Sequence, residues 1–170
     1  MGGIRVRIRV MSRKRYTVVP RTLCFVFKGN QVLLLKASDE KDWSGMYDPI
    51  GGHIEKGEAI IESARREIKE ESGLEISELQ LKGIVHVSNF FGKNVMLFVV
   101  AGNYLIGDLT SSEEGNPEWV DVANLNNVKV FEDVEPIIRK ILSLKPGEIF
   151  VGTSEFDGKD KLVSLDIRIN

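Results

Sequence analysis

Residues 52–74 read GHIEKGEAIIESARREIKEESGL, and Gly51 stands directly before them. Ile60, Ala64 and Ile68 recur every four residues, a stripe that predicts an amphipathic helix over residues 59–72, opened by Glu58. Gly73 fits the left-handed residue that commonly stops a helix. Residues three or four apart share a helix face, so Glu67, Glu70 and Glu71 project from one patch. Like charges at that spacing oppose the helix by about 0.2–0.5 kcal/mol per pair even in open solvent. Beside a glycine loop the repulsion grows unless a cation sits among them. Hard oxygen donors at short spacing suit Mg²⁺ or Mn²⁺, which take a few carboxylates and leave places for water and phosphate. A solvated acidic face is the plainer reading of such a cluster. The glycine pair and the places of Glu58 and Arg66 favour the metal.

The stretch resembles the Nudix box, GX5EX7REUXEEXGU with U a bulky aliphatic. Gly52, Glu58, Arg66, Glu67, Ile68, Glu70, Glu71, Gly73 and Leu74 fill its fixed positions. The resemblance implies the Nudix fold, an α/β/α sandwich around a mixed β-sheet. It also implies metal-dependent hydrolysis of a nucleoside diphosphate linked to a further group. Glu70 and Glu71 are then metal ligands, and Glu67 is a ligand or the general base. Arg66 orients the carboxylates through a salt bridge, and a backbone carbonyl at Gly51 or Gly52 joins the metal's ligands. The plainer account of the glycines is a tight turn at positive φ. Glu58 either supports the loop, binds the metal through water, or is simply a charge favourable to the helix N-terminus.

Composition agrees with a soluble globular protein. A hydrophobic share of 42% and a charged share of 28% are those of an ordinary globular chain, and 170 residues suffice for one domain with a sizeable core. Cys24 is the sole cysteine and lies in an apolar run, so a buried thiol is expected, with no disulfide and a cytoplasmic location. No apolar run has transmembrane length, and the N-terminus lacks a signal-peptide core. Residues 1–21 carry seven basic and no acidic side chains, which leaves 16 basic against 25 acidic elsewhere, a net of −9. An acidic body argues against a broad nucleic-acid surface. In the arm, Ile4, Val6, Ile8 and Val10 alternate with arginines, which predicts a basic edge strand over residues 1–16; an arm that touches phosphates or RNA is the alternative. The expected partner is a nucleotide-sized small molecule, bound by a monomer or homodimer.

Strand patterns fall over residues 17–28 and 31–36, joined at Gly29-Asn30, and over a short 47–53 segment. Another pair is expected over 81–91 and 93–105, a strand over 118–122, and a C-terminal hairpin within 148–169 turning at Asp157-Gly158. Ile137, Ile138 and Ile141 mark a second helix over 133–144, stopped by Pro146-Gly147.

Beyond the box, most of the chain resembles the MutT-like branch that hydrolyses oxidised purine nucleoside triphosphates. Trp43-Ser44-Gly45-Met46-Tyr47-Asp48 runs into the glycine pair as that branch's substrate loop does, and residues 152–169 resemble its closing hairpin. Counted back from Trp119, Glu114 matches an extra catalytic and metal-binding glutamate; a solvated loop tip is the alternative for Glu113-Glu114. Phe131 and Asp133 fall where the branch places an aromatic and an acid around the purine, with Asp48 nearby. Phe131 as core and Asp133 as a helix cap are the alternatives. Asp48 stands where the branch often has Asn, and Val134 where it tends to have a second acid, so base specificity stays open. ADP-ribose, dinucleotides and RNA 5′ ends are competing substrates. A nucleotide-sensing domain without turnover is the competing class, which the complete Arg66, Glu67, Glu70 and Glu71 set disfavours.

Overall fold

The computed structural model describes residues 15–39 and 43–170. Strands β1 (Val19–Lys28) and β2 (Gln31–Ala37) form the expected hairpin, with Lys28 opposite Gln31. The chain continues through β3 (Tyr47–Asp48), α1 (Ile60–Ser72), β4 (Glu75–Phe90), β5 (Lys93–Ile106) and β6 (Gly115–Asp121). A 3-10 helix (Val122–Asn127), α2 (Val134–Ser143), β7 (Phe150–Phe156) and β8 (Leu162–Ile169) complete it. Among the described residues the strands form one mixed sheet in the order β3-β2-β1-β5-β4-β7-β8, with β6 also paired to β2. The β1–β5 and β4–β7 pairs are parallel and the others antiparallel.

Residues 24–27 and 32–35 are buried at every position because both faces of the sheet are covered. On one face α1 sets Ala64 and Ile68 among Cys24, Val26, Leu33 and Val100. On the other α2 sets Val134, Ile137, Ile138 and Ile141 among Phe25, Leu34, Val85, Val99 and Phe150. The expected α/β/α sandwich follows. Burial pushes the Cys24 thiol up to about 12, so it is an inert core group.

Three expectations change. The strand expected over 118–122 is β6, which begins earlier, at Gly115 opposite Ala37. The 47–53 strand is only Tyr47–Asp48 on β2, because Pro49 lacks an N–H to continue the ladder. The segment then crosses to β1, where Ile50 bridges Cys24 and His53 bridges Arg21. The first long hairpin strand starts at Glu75 rather than Leu81, since irregularities between Ile76 and Leu79 and between Leu81 and Gly83 break its alternation. As for the proposed basic strand over residues 1–16, residues 1–14 lie outside those described, and Arg15 and Tyr16 are exposed and in no strand.

Candidate active site

The site is built where the crossing segment meets α1. The helix begins at Ile60, so Glu58 lies before it rather than opening it; the Ala59 N–H instead donates to Glu62 at 3.0 Å. Glu58 holds the loop. It accepts Arg66 Nε at 2.8 Å and Nη2 at 2.9 Å, a two-point pair, and also takes the Glu55 N–H at 3.0 Å. The Arg66 guanidinium beside it draws the Glu58 carboxyl down to about 2. Arg66 Nη1 also donates to Glu67 at 2.8 Å and Glu70 at 3.2 Å, and Nη2 to the His53 carbonyl at 3.1 Å. One guanidinium thus ties the glycine loop to the carboxylate turn.

The acidic side chains separate into two kinds. Glu70 is 59% exposed and leans on Arg66 at the rim. Glu71 is buried, facing Glu67 and within the field of Glu114. Burial first, then the charge and hydrogen bond of Glu67 and the charge of Glu114, push the Glu71 carboxyl up to about 9; a hydrogen bond from the Gly51 backbone opposes this. Glu67, Glu70, Glu71, Glu113 and Glu114 line one cleft together with Gly51 and Gly52. The loop glutamates reach the cleft from just before β6, whose Gly115 pairs with Ala37 of β2.

The glycines serve closeness rather than turning. Neither has a positive φ, so the tight-turn account fails. A Cβ on Gly51 would overlap the Thr22 carbonyl, and one on Gly52 would overlap the Glu67 carboxylate. The Gly52 carbonyl accepts the Thr22 N–H at 2.9 Å, which stitches the segment to β1. Gly52→Ala should push Glu67 out of the cleft and lower kcat by about tenfold with little change in melting temperature. Steady-state kinetics on the folded variant check this; an unchanged kcat would detach Glu67 from the reaction.

Asp48, Phe131 and Asp133 meet in a second cavity, walled by Val87, Phe90, Val95, Leu97 and Phe156. Phe131 packs edge-on to Phe90, centroids 5.4 Å apart, so it is core and cavity wall at once. Asp133 is buried at the N-cap of α2, yet its side chain makes no capping hydrogen bond and instead lies 3.5 Å from the Ser154 hydroxyl. Burial raises the Asp133 carboxyl, and burial plus the Asp133 charge push Asp48 up to about 7. Trp119 pairs with Leu33 and stacks edge-on to Tyr104 at 5.6 Å, a core position. His53 is exposed, and His86 takes part in a 2.7 Å hydrogen bond with Tyr16. Arg21 lines both cavities and was not singled out from the sequence. Its phase on β1 with Leu23 and Phe25 was the available signal.

Among the described residues no three His, Cys, Asp or Glu side chains stand ready as a metal cage. The crowding at Glu71 still fits a divalent cation, since a carboxyl pushed up by burial, and then by the charges of Glu67 and Glu114, lacks a counter-charge. Hard oxygen donors few in number suit an ion that keeps several waters.

A family model described as NUDIX domain matches residues 18–143. The oxidized purine nucleoside triphosphate hydrolase of Mus musculus is 28% identical over 150 residues, covering 86% of this chain and 92% of its own. The protein of the same name from Danio rerio is 32% identical over 71% of this chain and 76% of its own. The crystal structure of a mutator MutT protein from Bacillus halodurans superposes with a TM-score of 0.77 at 28% identity, over 88% of this chain and 97% of that one. The carboxylate cleft and the Arg66 network fall inside the matched residues, and the chain belongs to the Nudix hydrolase family.

Proposed function

We propose that the protein hydrolyses a purine nucleoside triphosphate, oxidised purines included, to the monophosphate and pyrophosphate. The observation that carries this reading is the pair Asp48 and Asp133. Two carboxyls on a largely apolar and aromatic wall, next to a carboxylate cleft, suit a flat base with a polar edge and a phosphate chain. The names of the mouse and zebrafish relatives support the same reading.

Nudix hydrolases generally work with divalent metal ions. Here Glu67, Glu70, Glu71 and Glu114, with a Gly51 or Gly52 carbonyl, would hold Mg²⁺ or Mn²⁺, which supplies charge to neutralise the phosphoryl oxygens. The chain does the rest. Arg66 fixes Glu67 in direction at 2.8 Å. Glu67 takes a proton from the attacking water as its oxygen bonds to phosphorus, and the bridging P–O bond breaks toward pyrophosphate. Phe131, Phe90 and Phe156 exclude water from the base side.

A turnover panel tests the reading: 8-oxo-dGTP, dGTP, dCTP, ADP-ribose, a dinucleoside polyphosphate and triphosphorylated RNA, with Mg²⁺ and with chelator. The expected result is fastest cleavage of a purine triphosphate, released as monophosphate and pyrophosphate, and loss of turnover with chelator. Faster cleavage of ADP-ribose, the dinucleotide or RNA would replace this substrate. Tight binding without cleavage of anything would make the domain a sensor.

A further inference from the structure

Arg21 is used neither by the carboxylate network nor by the base cavity as described so far. Its backbone is fixed on both sides, bridging His53 of the crossing segment and pairing with Leu97 of β5. It is half-buried. Arg21, Asp48, Pro49 and Gly51 line both the apolar cavity and the carboxylate cleft, so together they form the wall the two share. Among the described residues, Arg21 is the only cationic side chain in that shared wall. Its charge is felt at Asp48, which it draws downward against burial and Asp133. Yet no described residue accepts a hydrogen bond from its guanidinium, whose five donors are the natural match for a phosphate.

The charge balance around it points the same way. The cleft is lined by Glu55, Glu67, Glu70, Glu71, Glu113 and Glu114, and an anionic phosphate chain entering it needs cations. The carboxylate cluster offers a place for one at the far end of the chain. At the near end, where a nucleoside leaves the apolar cavity, Arg21 is what the wall provides.

Resting on the nucleotide reading above, we propose that Arg21 is a specificity-determining residue that binds the phosphate attached directly to the nucleoside, from the wall shared by the two cavities. A bidentate guanidinium–phosphate pair there would register the nucleoside against the cleft. It would also favour the monophosphate product over the bare nucleoside.

The test is calorimetric binding of dGMP, deoxyguanosine and pyrophosphate to the wild-type protein, Arg21→Gln and Arg21→Lys, with melting temperatures as a folding control. Arg21→Gln should weaken dGMP binding by about tenfold or more and leave deoxyguanosine and pyrophosphate within about twofold. Arg21→Lys should recover part of the loss, since it keeps the charge and loses the fork. Unchanged dGMP binding overturns the proposal. So does a parallel loss of deoxyguanosine, which would make Arg21 a base-reading residue or one acting only through Asp48. Wild-type protein that binds another nucleoside monophosphate in place of dGMP overturns the purine reading alone, and the same comparison with that monophosphate and its nucleoside then decides Arg21. Wild-type protein that binds no monophosphate more tightly than its nucleoside overturns the proposal directly.

Discussion

Glu71→Gln should lower kcat by on the order of 10²-fold or more while the protein keeps its fold. The substitution preserves shape and removes the buried charge that a divalent cation would need. It should also change stability in the opposite sense. In the metal-free protein burial, then the Glu67 charge, holds the Glu71 carboxyl up to about 9, against an ordinary value of 4.5. Between those pH values the folded chain keeps a proton that the unfolded chain releases. Metal-free stability attributable to Glu71 is therefore full below about 4.5 and is lost as pH climbs toward 9. Glutamine has no such proton to lose. At pH 8 without metal the variant should melt above the parent, and its melting temperature should depend less on pH. Near wild-type turnover would remove Glu71 from the metal site. A variant that is inactive yet melts lower than the parent would instead make Glu71 a structural residue.

Asp133→Ala should raise KM for 8-oxo-dGTP by about tenfold or more and leave KM for dCTP nearly unchanged. A base edge left without its partner in a buried site costs about 1–3 kcal/mol, whereas a ligand held by phosphates alone loses nothing there. The pH dependence carries a second signature. Asp48 is pushed up to about 7, so it is a hydrogen-bond donor below that pH and only an acceptor above it. In the parent, KM for a purine that needs the donor should rise as pH passes about 7. Removing Asp133 removes the like charge that helps hold Asp48 up, and the rise should move to lower pH. Because the Asp133 side chain makes no capping bond, the variant need not lose the roughly 1 kcal/mol expected of a cap. A fall in melting temperature without a change in the substrate ratio would sink the base-recognition role.

The parts of the site legible in sequence are those whose spacing is set by one helix. Glu67, Glu70 and Glu71 had to share a face once residues 59–72 were helical, and Arg66 could reach them from the same turn. What the helix cannot encode is which carboxylate turns inward. That depends on Gly52 leaving room for Glu67 and on Gly51 contacting Glu71, which are tertiary facts. The base cavity was legible only by resemblance, since Asp48 comes from β3 and Phe131 and Asp133 from the lead into α2, far apart in the chain. Arg21 stayed hidden because residues 24–27 are buried at every position, which blurs the phase it shares with Leu23 and Phe25 and so which way it faces. The early start of β4 was obscured by register irregularities, which reset the period that a strand reading relies on.

The crossing segment has a further consequence. Asp48 on the base side and Gly51-Gly52 on the phosphate side belong to one short piece of backbone. That piece is pinned to β2 at Leu35 and Lys36, and to β1 at Arg21 and Cys24. The two halves of the site cannot drift apart, because no hinge lies between them. The segment is in effect a ruler, with its zero at the base and its mark at the carboxylates. On the proposed nucleotide reading, a substrate would be measured by the length from base to bond more than by what lies beyond, and the same phosphate linkage would be offered for cleavage whichever purine is seated.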